Sequence, residues 1–154
     1  FLGGGFYFKE YFKIAKILKD KKHDVSFIIG QEVKKINLNK IQNLNNNFKI
    51  YISPENIPEI LYKSDLVICG GGYTKIEAAY LAKPIIPVPI HRHHVELCKR
   101  FKKEFNVNYI LKSKLRSLLN KKIDSYNYKI RTKISKIFRK KFSKMASIKL
   151  LILF

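Results

Sequence analysis

Tryptophan is absent from this 154-residue sequence, methionine occurs once and cysteine twice, and only 11 acidic residues stand against 32 basic ones. Two cysteines cannot build a disulfide framework, and Cys69 and Cys98 follow neither a CxxC nor a metal-site spacing. Cys69 closes an apolar run and is expected to be a buried core thiol, in keeping with a reduced, cytoplasmic compartment. No apolar run approaches the ~18 residues needed to cross a bilayer, and no signal-peptide pattern is visible. Disorder is excluded from the other side: apolar residues make up 46% of the chain and aromatics 13%, enough for a folded core.

The shortage of acid leaves a net charge of +21, unevenly spread. Residues 1–98 carry 14 Lys and Arg against 9 Asp and Glu, whereas residues 99–154 carry 18 against 2. The Asn, Lys and Ile richness resembles an AT-biased genome, so part of the lysine content carries no message. Any argument for an anionic partner belongs to the last third. The organisation expected is one domain over residues 1–112 and a basic amphipathic helical segment over 113–154.

Along the chain, Phe8, Phe12, Ala15 and Leu18, with Tyr11 and Ile14, have helical spacing. Residues 24–29, 48–52, 65–69 and 85–88 read as strands, and 108–111 as a possible fifth. Residues 37–47 are a loop or a weak helix, 53–62 a short helix, 73–82 a helix with Ile76, Ala79 and Tyr80 on one side, and 93–105 another. Strand and helix alternate, and the strands are continuous apolar runs, as a parallel sheet covered on both faces requires. The expected fold is an open, doubly wound parallel α/β sheet of Rossmann type, whose ligands bind at the carboxyl ends of the strands. The sequence opens Phe1-Leu2-Gly3 without an initiator methionine, and is expected to be a fragment of something longer with its first strand missing.

Six of the seven glycines stand in two triplets. The second follows the Asp65-Leu66-Val67-Ile68-Cys69 strand and runs from Gly70-Gly71-Gly72 straight into a helix. Glycines let a backbone approach a ligand closely, and free N–H groups there suit a diphosphate. Thr74 adds a hydroxyl. Glu77, one turn on, is a carboxylate able to accept bonds from two vicinal ribose hydroxyls. The competing reading is a tight strand–helix turn in which Glu77 merely stabilises a helix start.

Gly71-Gly72-Tyr73-Thr74-Lys75-Ile76-Glu77-Ala78, followed by Leu81, Pro84 and Pro89, resembles the C-terminal domain of GT-B glycosyltransferases of family 28. The nucleotide-sugar hydrolases of pseudaminic acid synthesis are close behind. The resemblance covers residues 1–112 in element order and 65–100 in specific motif. It implies that Gly72, Tyr73 and Thr74 face the diphosphate of a sugar nucleotide, UDP by preference, that Glu77 holds the ribose, and that Gly71 belongs to the same nucleotide-binding set. It implies an acceptor-binding N-terminal domain or partner chain that supplies the catalytic base, so this chain alone is expected to be inactive. No metal or other cofactor is implied, which agrees with the lack of an Asp-x-Asp motif. Gly4 and Gly5 would lie in the loop after the first strand, near phosphate or sugar, or form a simple turn.

His91, His93 and His94 open the helix after the fourth strand. They suit phosphate or sugar hydroxyls, although the family ends this segment differently, often in a glutamine. Three histidines are also metal-ligand types, but the spacing matches no standard zinc pattern. From Tyr128 onward Ile130, Ile134, Ile137, Phe138, Phe142, Met145 and Ile148 recur among Lys and Arg. That pattern suits either an anionic membrane surface or a helix packed on the body of the fold. A hydrolase or epimerase of the same fold, a basic nucleic-acid module and a decayed gene product are the other readings. No RNA- or DNA-binding motif is visible, so a nucleic-acid partner is not expected.

Overall fold

The computed structural model describes residues 2, 7–31 and 34–152, with side chains described throughout except at 35, 36 and 144–152. Helix α1 (Phe8–Leu18) buries Tyr11, Ile14, Ala15 and Leu18, the i, i+3, i+4, i+7 stripe of an amphipathic helix. There follow β1 (Ser26–Ile29), α2 (Lys35–Gln42), β2 (Lys49–Ile52), α3 (Ile57–Lys63), β3 (Val67–Gly70), α4 (Thr74–Tyr80), β4 (Ile85–Val88) and α5 (Arg92–Phe105). A 3-10 turn at Lys112–Lys114 leads into α6 (Leu115–Ser125) and α7 (Tyr128–Ile152).

Among the described residues all strand pairing is parallel. β1 pairs with β2 from Ser26↔Lys49 to Ile29↔Ile52, and β3 with β4 from Val67↔Ile85 to Gly70↔Val88. β3 and β4 are covered on both faces. Leu66, Ile68, Ile86 and Val88 pack into a core with α1, α6 and Tyr126. Val67, Cys69 and Ile85 face the opposite way, into a core with Ala78 and Ala79 of α4, Phe101 and Phe105 of α5, and Phe138 of α7. Helices on both sides of a parallel sheet are the doubly wound arrangement expected from the continuous apolar runs.

The two strand pairs form separate two-stranded sheets among the described residues. Between them lies a cavity of about 910 Å³ lined by Phe27 and Ile28 on one side and by Val67 and Ile68 on the other. Leu2 and Tyr11 also line it. The Leu2 N–H donates to the Tyr11 hydroxyl at 3.0 Å, which in turn donates to the Ile28 carbonyl at 2.8 Å. Burial pushes the Tyr11 phenol up to about 12.

Two expectations change, and one open alternative is decided. Residues 108–111 are not a strand: the segment forms no ladder and bonds to β4 through Ile110 N–H to Pro87 O at 2.9 Å. Polar residues at 106, 108 and 112 interrupt the apolar run that a ladder would need. The Asn-rich stretch does contain a helix, α2, of weak amphipathicity. In α4 the buried side is Thr74, Lys75, Ala78 and Ala79, whereas Ile76 and Tyr80 are exposed. The small alanines let the helix lie close on β3 and β4, and the bulky side chains turn outward.

The apolar stripe of α7 reaches the core only in part, and Ile130 is exposed. Phe138 is fully buried, and Ile134 and Phe142 pack beside it. Met145 and Ile148 lie outside the described side chains. Lys129, Lys133, Lys136 and Lys140 line the other side of the helix with Tyr128 and Ile137.

Candidate functional site

Two loops meet at the carboxyl ends of β3 and β4. The first, Gly71-Gly72-Tyr73, joins β3 to α4; the second, Pro89-Ile90-His91, joins β4 to α5. Their approach is close. A Cβ built on Gly71 would lie 2.7 Å from His94 Cβ, closer than real Cβ atoms come, and 3.1 Å from Cys98 Sγ, a tight contact. A Cβ on Gly72 would meet the His94 imidazole at 3.5 Å, ordinary contact. Gly71 is therefore required by helix packing, and Gly72 faces the His94 imidazole.

The three histidines form one ring cluster. His93 and His94 have centroids 4.3 Å apart, and His91 lies 5.1 Å from His94 and stacks on His93 at 5.5 Å. Among the described residues no three His, Cys, Asp or Glu side chains converge as a metal-ligand set. Burial lowers the His94 pKa, with smaller contributions from His93, His91 and Lys75, so this imidazole is neutral at physiological pH. Its buried Nδ1 has no hydrogen-bond partner among the described residues. His91 is held by Tyr7, hydroxyl to Nε2 at 2.9 Å, and their rings meet edge to face.

Tyr73 stands 87% exposed at the lip of the loop. Thr74 begins α4 and is buried; neither it nor any other side chain caps that helix. Glu77 lies in the first turn, exposed, with no side-chain hydrogen bond or ion pair among the described residues. The structure thus brings Gly71, Gly72, His91, His93 and His94 into one mouth, with Tyr73 at its edge. Gly4 and Gly5 lie outside the described residues.

Two residues of the site escaped the sequence reading. Tyr7 carries no local signal, because its partner is 84 positions away. Lys75 did carry one: Lys75, Ala78, Ala79 and Ala82 have the i, i+3, i+4, i+7 spacing of a buried stripe. Its ammonium donates to Gly71 O at 2.7 Å and Gly72 O at 2.9 Å. It sits 5.8 Å from the centre of the Phe101 ring. The cysteines are packing groups: burial pushes the Cys69 thiol up to about 12 and the Cys98 thiol to about 11, so neither is a nucleophile near neutral pH.

Compared with known families, the chain matches the glycosyltransferase family 28 C-terminal domain over residues 4–151. No curated protein matches it. The match includes α6 and α7 as well as the strand-and-glycine region.

Proposed function

The chain belongs to the glycosyltransferase family 28 C-terminal domain family, which binds the sugar donor in glycosyltransferases, and from that premise we propose that its mouth takes the diphosphate of a UDP-sugar. The reading is supported above all by Gly71 and Gly72 lying against His94 at the carboxyl ends of two parallel strands, where ligands of such sheets bind. Gly72, Tyr73 and Thr74 then face the diphosphate, and exposed Glu77 accepts from the ribose hydroxyls. The His94 ring, whose Nε2 faces Gly72, borders the sugar together with His91 and His93. Transfer to an acceptor needs the acceptor-binding domain or partner chain, which supplies the base.

Calorimetric titration of the chain with UDP, ADP and GDP tests this, repeated on Glu77→Ala. Saturable UDP binding that Glu77→Ala weakens at least about tenfold supports it, since a hydrogen bond to a charged group is worth roughly 1.5–3 kcal/mol. A folded chain that binds no nucleotide, or binds all three only at low salt, sinks it.

We further propose that the protein works at the inner, anionic face of a membrane. The lysine row of α7, Lys129, Lys133, Lys136 and Lys140, supports this, because it lies opposite the buried Phe138 with Tyr128 and Ile137 beside it. Co-sedimentation with anionic but not neutral vesicles is the expected result; equal recovery with both would remove the reading.

A further inference from the structure

Lys75 is a buried ammonium with no carboxylate partner among the described residues; its hydrogen bonds go to two loop carbonyls. An ammonium in that position is costly to bury, and an apolar side chain of the same length would fill the space at lower cost. Packing alone therefore does not account for a lysine at this point of the buried stripe.

The geometry of the two bonds does. A trans peptide is planar, so the carbonyl of one residue and the N–H of the next point in opposite directions. The described peptides are all trans. Drawing the Gly71 carbonyl inward turns the Gly72 N–H outward, and drawing the Gly72 carbonyl inward turns the Tyr73 N–H outward. Lys75 approaches from the buried side, over Phe101. The two amides then point away from the ammonium as consecutive donors, with its positive charge behind them. Both features favour an anion.

We propose that Lys75 is a positioning residue that fixes the Gly72 and Tyr73 amides, and places a charge behind them, to hold the diphosphate of the donor nucleotide. This deepens the donor-site reading and rests on it. Desolvation lowers the Lys75 pKa, while the two carbonyls that accept from its Nζ favour the protonated form.

The test is calorimetric titration of the full chain and of Lys75→Met and Lys75→Arg with UDP and with uridine. Lys75→Met keeps the length and apolar stem. It should weaken UDP at least about tenfold, the loss expected when charge-assisted contacts go, and leave uridine binding unchanged. Lys75→Arg, which retains charge and donors, should recover part of the UDP affinity. On the wild-type chain, the Gly72 and Tyr73 amide resonances should shift with UDP but not with uridine. If wild type binds UDP and Lys75→Met binds it equally well, or loses UDP and uridine alike, the positioning role is overturned. Unmoved Gly72 and Tyr73 amides on saturation with UDP overturn it without any variant. If wild type binds neither ligand, the donor-site reading itself has failed.

Discussion

Gly71 and His94 are packed so closely that a single methyl group separates a folded mouth from a strained one: a Cβ on Gly71 would stand 2.7 Å from His94 Cβ. Neither group is the far end of a flexible side chain, so α5 must shift to admit it. Gly71→Ala should destabilise the fold by about 1–3 kcal/mol, the usual cost of overpacking. Gly72→Ala meets only the imidazole, at 3.5 Å, and should leave the urea midpoint nearly unchanged while weakening UDP. Equal midpoints for the two variants would show that the loops are not in contact in solution.

The depressed pKa of His94 gives the chain an acid-sensitive site. In the unfolded chain this imidazole titrates near its ordinary value of 6.5, and in the folded chain burial first, then His93, His91 and Lys75, lowers it. Between those two values the unfolded state binds more protons, so stability falls as pH falls below about 6.5 and His94 contributes no slope above it. His94→Gln should flatten that acid limb in urea unfolding series run from pH 5 to 8. An unchanged slope would mean that other groups carry it.

The two faces of α7 should separate in mutagenesis. Phe138 is fully buried against Phe101 and Phe105, so Phe138→Ala should cost about 3–5 kcal/mol. Replacing Lys129, Lys133, Lys136 and Lys140 with glutamine should leave the unfolding midpoint near wild type. The same quadruple variant should reduce binding to anionic vesicles, each lysine near such a surface being worth about 1 kcal/mol. A stable Phe138→Ala protein would place the apolar side of α7 away from the core.

Much of this was legible because both signals were local. The β3 strand, the glycine break and the α4 start follow one another within residues 67–77, and continuous apolar runs such as that of 85–88 announce a strand buried on both faces. The faces of α4 were harder to read. Ile76 and Tyr80 look like the buried side by hydrophobicity, but the close approach to β3 admits only alanine and the stem of Lys75, a choice made by packing distance. The possible strand at 108–111 failed for a related reason, since its apolar residues are too few to sustain a ladder beside β4. The Tyr7–His91 contact depends on how α1 is placed against the β4–α5 loop, and no periodicity encodes that.

Tyr11 offers the sharpest check on how the amino-terminal residues are tied to the sheet. One hydroxyl accepts from the Leu2 N–H and donates to the Ile28 carbonyl, across the cavity between the two strand pairs. Tyr11→Phe keeps the ring against Phe27 but strands both backbone groups. A buried donor or acceptor left unsatisfied costs about 1–3 kcal/mol, and the Leu2 carbonyl lies against Gly70, at the entrance to the glycine loop. Tyr11→Phe should therefore lower the urea midpoint by an amount in that range. It should also speed hydrogen exchange at Leu2, while the amides of α5, in the other core, keep their protection relative to global unfolding. A midpoint equal to wild type would mean that Leu2 is not held by this hydroxyl in solution.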